Sequence, residues 1–400
     1  MLARLRKGLY ETLFVRLRHD RSVREALFVF LLTRTLIFFL LVTVGQLTVT
    51  SKPEIKLHDA SISFDRPQIA RKLREMMVRG DVGHYKGLSD TGYLPGPLDL
   101  TSHRSVQFAF FPLQPILFWL LGRVTSDVLL WGAALSNLFF FLALVVMHKL
   151  TLAFGYDEPV ARRAIFYLAA FPASYFFSVP MTESLFVFLT VASFYAARRE
   201  RWWLAGVIGL FAATTRPTGI LLLPSLLVLS WQMYRSLQVK KILGLLLMPW
   251  GLFAFMFYSW RLTGDALAFK HAQVAWGRDP SIFFLRSVID WLVGPHVITP
   301  WNMQLFSVAS ALLCFVCIYI LVRRREWAFA LYTLVSIILP LSSGMLQSLE
   351  RYTMGFFPIF IALGIAAKSD HADQTIRVVF VSLLAIMTAL YGAGYSNALT

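Results

Sequence analysis

Charge is scarce in this sequence. Of its 400 residues only 15% are Asp, Glu, Lys or Arg, where a soluble domain carries about a quarter. That scarcity argues against a water-soluble globule. Cysteine is nearly missing as well. Cys314 and Cys317 lie in a single apolar run with no other soft ligand near them, so they read as small buried hydrophobes rather than a zinc or redox centre. Period-two alternation is also lacking in the apolar runs, which excludes a transmembrane β-barrel. There is no linker-like boundary, low-complexity tract or clear internal repeat. No Rossmann-like region marks a nucleotide site, and the acidic residues are too scattered to mark a metal site.

What is abundant is hydrophobicity. Apolar residues make up 57% of the chain and the mean hydropathy is +0.63. Many runs approach or exceed the ~18 residues needed to cross a bilayer, so the chain reads as an all-α polytopic membrane protein. The first 25 residues hold seven basic ones (Arg4, Arg6, Lys7, Arg16, Arg18, Arg21, Arg24) and are followed by a long run without a small-residue cleavage site. This reads as a retained first span with a cytoplasmic N-terminus. The net charge of +16 comes from Lys and Arg in short loops between spans. That is the positive-inside pattern rather than a nucleic-acid surface.

Basic clusters set the topology. Arg162-Arg163, Arg198-Arg199-Arg201, Arg235-Lys240-Lys241 and Arg323-Arg324-Arg325 are all expected in the cytoplasm. Parity then makes 106–123, which contains Pro112 and Pro115, a re-entrant or surface-lying helical segment within a first extracytoplasmic loop (49–127). A basic amphipathic helix is expected along the membrane surface over Pro67–Val78. Further spans are expected near 128–149, 163–178, 183–198, 202–215, 218–235, 242–261, 304–322, 327–342, 353–368 and 377–396. With 27–48 this gives about eleven spans. A second long extracytoplasmic loop covers 262–302, and the whole chain, 1–400, reads as a single integral-membrane domain.

An ionisable residue at membrane depth is costly and marks a candidate site. On the expected outer side stand Asp81, His84, Glu183, Arg216, Arg261, Lys270, His271, Arg278, Glu350 and Arg351. Arginine there suits fork-like binding of phosphate oxygens. Each residue also has a structural reading. Asp81 lies in Gly80-Asp81-Val82-Gly83, a turn sequence in which Asp can bond its own backbone, and His84 fits an exposed surface position. Glu183 fits a helix N-terminus, where it offsets the dipole. Arg216 before Pro217 fits a snorkelling residue, and Glu350-Arg351 fits a local pair. Arg34, within the first span, calls for a partner in the bundle. Trp260, Trp276, Trp291 and Trp301 fit an interfacial belt.

Several segments in order carry a resemblance. They are Gly80-Asp81-Val82-Gly83-His84-Tyr85 with Thr91-Gly92-Tyr93, Phe110-Phe111-Pro112-Leu113-Gln114-Pro115, and Phe171–Ser178 with Thr182-Glu183-Ser184-Leu185-Phe186. They continue with Arg216-Pro217-Thr218-Gly219, Thr263–Phe269 with Ala272-Gln273 and Trp276-Gly277-Arg278, and Glu350-Arg351-Tyr352. Over about residues 75–355 this set resembles the PIG-V family of mannosyltransferases, including its prokaryotic relatives, within the GT-C class. The resemblance implies a GT-C glycosyltransferase fold and transfer of a sugar, in this family mannose, from a polyprenyl-phosphate donor on the extracytoplasmic face. It implies inversion, and a hydroxyl of a lipid-linked or glycolipid acceptor. It also implies an essential acidic residue in the first outer loop, which matches Asp81; Gly80 stands where the family usually has Trp.

His84, Tyr85, Glu183, Arg216, Lys270, Arg278, Arg351 and Tyr352 are then the substrate-binding candidates. No metal or other cofactor is expected. Membrane lipids are the surroundings, nucleic acid is not a partner, and a small membrane partner subunit is left open. A prokaryotic plasma membrane is expected, with the endoplasmic reticulum as alternative. Two other readings stay open: a transporter or flippase that holds a lipid phosphate on the same arginines, and a degenerate assembly subunit.

Overall fold

Inside a bilayer a continuous apolar segment can satisfy its backbone groups only as a helix or a closed barrel. The computed structural model takes the first solution. It describes residues 20–50, 71, 74–99, 103–236, 238–278, 283–293, 303–344, 346 and 348–394, and among them there are helices and no strands. The principal helices are α1 (Arg21–Thr50), α2 (Val82–Thr91), α3 (Leu113–Gly122), α4 (Val128–Ala153), α5 (Glu158–Ala170), α6 (Glu183–Arg198) and α7 (Trp202–Thr215). They continue with α8 (Leu222–Tyr234), α9 (Met248–Thr263), α10 (Met303–Arg323), α11 (Trp327–Leu341), α12 (Leu349–Thr353), α13 (Pro358–Ala366) and α14 (Asp370–Ala393).

Among the described residues six helices are long and apolar enough to cross a membrane: Arg21–Gly45, Val128–Ala153, Pro217–Tyr234, Leu243–Thr263, Gln304–Arg323 and Asp370–Ala393. The expected spans near 163–178, 183–198, 202–215, 327–342 and 353–368 are shorter helices. α5 has 13 residues, α6 16, α7 14, α11 15 and α13 9. Proline explains several of the breaks. Pro172 and Pro180 separate α5 from α6, Pro217 follows α7 and Pro358 opens α13. Tight 3₁₀ turns at Ser174–Ser178 and Pro217–Leu221 carry the chain across two of these breaks.

Polar caps fix where helices start. Asp127 accepts from Leu130 N at 3.2 Å, Asp157 from Val160 N at 3.0 Å and Ser369 from Ala372 N at 3.2 Å. Small residues let helices meet backbone to backbone. A β-carbon on Gly206 would lie 1.9 Å from the Gly244 carbonyl oxygen. Between helices aromatic rings recur among aliphatic side chains: Phe140 stacks on Phe177 at 4.3 Å, and Phe357 meets Phe194 and Phe329 edge to face.

The helix ends sort by charge. At one end Lys149 at the close of α4 reaches Asp20 ahead of α1, and Arg21 reaches Glu158 at the start of α5. Nearby, Arg198 donates to the Ala153 carbonyl, Gln232 to the Arg325 carbonyl and Tyr156 to Glu326. Lys241 pairs with Glu200, and Arg163 with Asp373. The basic clusters of the sequence therefore share one end. The opposite ends of the same helices carry Asp127, Glu183, Arg216 and Tyr391.

The 106–123 stretch stays at that second end. α3 has 10 residues, about 15 Å of helix against a hydrocarbon core of about 30 Å. It begins after Phe110 and Phe111, which pack on Tyr85 and Phe255. It leads into Asp127, which pairs with Arg74 just ahead of the Asp81 loop. Half of the amphipathic helix expected over Pro67–Val78 lies outside the described residues, with Arg74–Met77 helical.

Candidate active site

Asp81 sits where a helix begins, yet it does not cap that helix. Gly80 turns the chain with a φ of 63°, a left-handed value that glycine adopts without steric cost. Asp81 then takes the N-cap position of α2 but makes no side-chain cap bond. Its carboxylate instead accepts from Arg351 Nη2 at 2.8 Å. The self-bonded turn that Gly80–Gly83 suggests is therefore not what the carboxylate does. A distant guanidinium holds it.

From Asp81 the charges alternate inward. Arg351 Nε lies 3.4 Å from Glu183 Oε1, an ion-pair contact rather than a well-formed hydrogen bond. Glu183 also accepts from Arg216 Nη2, and Arg216 Nε donates to Thr182 Oγ1 at 2.9 Å. Glu183 is 3% exposed and Arg351 6% exposed, so these charges are screened far less than surface ones. Glu183 does open α6, as the helix-dipole reading requires, but its strongest partners are the two arginines. Glu350 and Arg351 do not pair locally. Glu350 accepts from Ser307 on α10 at 2.8 Å, while Arg351 faces Asp81 and Glu183.

These residues border a cavity of 530 Å³. Asp81, Tyr85, Arg216, Lys270, Arg278, Arg351 and Tyr352 all line it, together with apolar side chains such as Leu221, Leu252, Leu339 and Phe356. The lining thus combines cationic groups with hydrocarbon. Arg278 Nη2 donates to the Tyr352 hydroxyl at 2.6 Å, and Arg216 lies over the Tyr352 ring at 5.9 Å. Among the described residues no carboxylate pairs with Lys270 or Arg278. Nor does any group of three His, Cys, Asp or Glu there come close enough to hold a metal.

The environment shifts two phenols here. Burial pushes the Tyr85 hydroxyl up, and the nearby Asp81 carboxylate adds to that. Burial alone would also raise Tyr352, but Arg278 and Arg351 outweigh it and leave that phenol below its ordinary value.

Eight of the nine residues singled out in the sequence gather here, but not in equal roles. Asp81, Tyr85, Arg216, Lys270, Arg278, Arg351 and Tyr352 face the cavity, whereas Glu183 stands behind its wall. His84 does not line it; the ring is exposed and stacks on Phe110 at 4.5 Å. Arg261 is exposed, and His271 pairs with Asp265 at 2.6 Å. Arg34 finds its partners in the bundle without a carboxylate. It donates to the Ala169 and Ser174 carbonyls and to the Ser174 and Ser178 hydroxyls. Gln273, Ser342 and Ser343 line the cavity without having been singled out. Gln273 sits in a segment that carries the resemblance, while the serines follow Pro340 with no motif to mark them.

Comparison with known proteins finds the same family. The family model for mannosyltransferase (PIG-V) matches residues 23–276. The chain is 29% identical over 165 residues to GPI alpha-1,6-mannosyltransferase 2 of Rattus norvegicus, covering 38% of this chain and 31% of that one. It is 28% identical over 213 residues to the Mus musculus protein of the same name, covering 48% and 42%. The matches thus span less than half the length of these curated relatives. Among solved structures, the Archaeoglobus fulgidus oligosaccharyltransferase in complex with zinc and sulfate superimposes with a TM-score of 0.41 at 14% identity, over 73% of this chain and 44% of that one.

Proposed function

Because this chain belongs to the PIG-V family of mannosyltransferases, we propose that its cavity transfers a mannosyl group from a polyprenyl-phosphate donor to a hydroxyl of a lipid-linked or glycolipid acceptor. The observation that carries this reading is the placement of Asp81. Its carboxylate is withheld from its own helix and set beside Arg351 in a cavity lined by both cationic and apolar side chains. A sugar phosphate on a lipid tail has matching halves.

The transfer is a single in-line displacement. The acceptor oxygen attacks the anomeric carbon and the new C–O bond forms on the face opposite the phosphate, so configuration inverts. The bond between the anomeric carbon and the phosphate oxygen breaks, and its electron pair leaves with the phosphate. Asp81 takes the acceptor proton as general base. Lys270 and Arg278, which pair with no carboxylate among the described residues, and the guanidiniums of Arg216 and Arg351 stabilise charge on the departing phosphate. Tyr85 and Tyr352 bound the sugar and phosphate positions.

The fold we propose is GT-C, with about eleven crossings. The six long helices supply part of these and the five shorter ones the rest, with 106–123 kept outside. The basic end then faces the cytoplasm and the cavity faces the extracytoplasmic side of a prokaryotic plasma membrane.

The test is Asp81→Asn in nanodiscs supplied with polyprenyl-phosphate-mannose and a lipid acceptor. We expect kcat to fall by about 100-fold or more, the range of a lost general base, with the protein still folded. Transfer at the wild-type rate would remove Asp81 from the chemistry. Movement of the donor across vesicle bilayers by a variant that transfers nothing would favour a transporter.

A further inference from the structure

The last turn of α14 reaches the segment just ahead of Asp81. A helix leaves its final carbonyls without intrahelical donors, and the Tyr391 carbonyl is one of these. It accepts from Arg79 Nη1, and the Arg79 guanidinium lies over the Tyr391 ring at 5.6 Å. The Tyr391 hydroxyl turns to the same segment and donates to the Met76 carbonyl at 2.8 Å. One residue of α14 thus holds both Met76 and Arg79, although 312 positions separate it from Arg79. Tyr391 is itself fully buried, with its ring on Tyr175 at 5.0 Å and on Phe176 at 5.9 Å.

A basic side chain at a helix C-terminus commonly serves the helix as a cap. α14 already has one. Gly394 ends it with a left-handed φ of 99° and donates its N–H to the Leu390 and Tyr391 carbonyls. The hydroxyl bond to Met76 adds nothing to the helix either. Both contacts therefore act on the other partner, the segment that leads into the site. Gly80 follows Arg79, and a glycine leaves the backbone freer than any residue with a β-carbon. The direction in which Asp81 leaves that turn is then set by what holds Arg79 on one side and α2 on the other. Phe176 supplies a second link, because the Arg351 guanidinium that bonds Asp81 lies over its ring at 5.6 Å. We propose, resting on the transfer reaction above, that Arg79 and Tyr391 form a clamp through which the end of α14 positions Asp81 for attack. Neither residue lines the cavity, so both are positioning residues. Misplacing a reacting group by about 1 Å can cost about 100-fold in rate, while the donor phosphate still meets the same cations. The clamp thus acts on kcat and leaves donor KM alone.

The measurement is transfer from polyprenyl-phosphate-mannose by purified full-length protein in nanodiscs, as kcat and donor KM, for wild type, Arg79→Met, Arg79→Lys and Tyr391→Phe. Arg79→Met keeps an apolar stem and removes the donor. It is expected to lower kcat by about 10- to 100-fold, with donor KM within about twofold of wild type, since no substrate contact is lost. Arg79→Lys restores a cationic donor for the Tyr391 carbonyl and is expected to return kcat to within about threefold of wild type. Tyr391→Phe keeps the ring and the carbonyl and deletes only the bond to Met76. Its kcat is expected to fall by about three- to tenfold, the range of one hydrogen bond, again at unchanged donor KM.

Wild-type kcat in Arg79→Met overturns the proposal. So does a raised donor KM at wild-type kcat, which would make Arg79 a phosphate ligand instead of a clamp. An Arg79→Lys enzyme as slow as Arg79→Met overturns it too, because the loss would then not follow the bond to the carbonyl. If Arg79→Met does not fold, Tyr391→Phe decides alone: a lower kcat at unchanged donor KM supports the clamp, and a wild-type kcat overturns it. Asp81→Asn run in parallel separates the two readings. Transfer surviving at the wild-type rate in Asp81→Asn overturns the reaction itself. An inactive Asp81→Asn beside unaltered Arg79→Met and Tyr391→Phe enzymes overturns only the clamp.

Discussion

Gly80 decides where the proposed base points. Its φ of 63° lets the chain leave Arg79 and enter α2 with Asp81 toward Arg351. A β-carbon in that conformation costs about 1 kcal/mol or somewhat more. Gly80→Ala is therefore expected to destabilise the protein by about that amount and to lower transfer by misplacing Asp81, both read from thermal unfolding and kcat in one preparation. Unchanged stability and rate would mean the turn tolerates a side chain and is not what aims the carboxylate. Asp81, Arg351 and Tyr352 were legible in the sequence because charged or polar groups stand out in an apolar chain. Their pairing was not, since 270 positions separate Arg351 from Asp81. Glu183 is legible as an outer-side candidate and a helix start but not as a residue behind the cavity wall, and Ser342 and Ser343 are not marked at all, because small hydroxyls are common in membrane helices.

Helices such as α1, α4 and α10 are long uninterrupted apolar runs, and hydropathy places them to within a few residues. The run from Glu158 to Arg198 is harder to read. It contains two short helices, a 3₁₀ turn and three prolines, two of them between the helices, and hydropathy alone does not register such breaks. How closely two helices approach is likewise set by a few small residues rather than by average hydrophobicity. At Gly206 an added β-carbon would meet the Gly244 carbonyl at 1.9 Å, and at Gly244 it would meet the Trp203 α-carbon at 2.6 Å. Neither neighbour is a flexible side-chain end, so the strain has nowhere to go. Gly206→Leu is expected to push the Leu243–Leu247 turn off α7 and to cost about 2–3 kcal/mol. The readout is loss of monodisperse, thermally stable protein in detergent. Wild-type stability in that variant would show that the two segments can separate without penalty.

Across the whole molecule, charge separates along the helix axes. The Lys149–Asp20, Arg21–Glu158 and Lys241–Glu200 pairs gather at one end, while Asp81, Glu183, Arg216 and Arg351 gather at the other. The sequence anticipated this from positive-inside parity, and the contacts place the two sets at opposite ends without reference to a membrane. Which end faces outward is then open to direct measurement. Both native cysteines are buried at 0% exposure, so they contribute little background to thiol labelling. Ser126, exposed beside Asp127 at the site end, and Ser236, exposed after α8 at the basic end, give the two probes. In intact cells Ser126→Cys is expected to react with a membrane-impermeant thiol reagent, and Ser236→Cys only after the membrane is opened. The opposite pattern would turn the cavity toward the cytoplasm. An extracytoplasmic polyprenyl-phosphate donor could not reach Asp81 in that orientation, and the proposed transfer would need a donor presented on the inner leaflet.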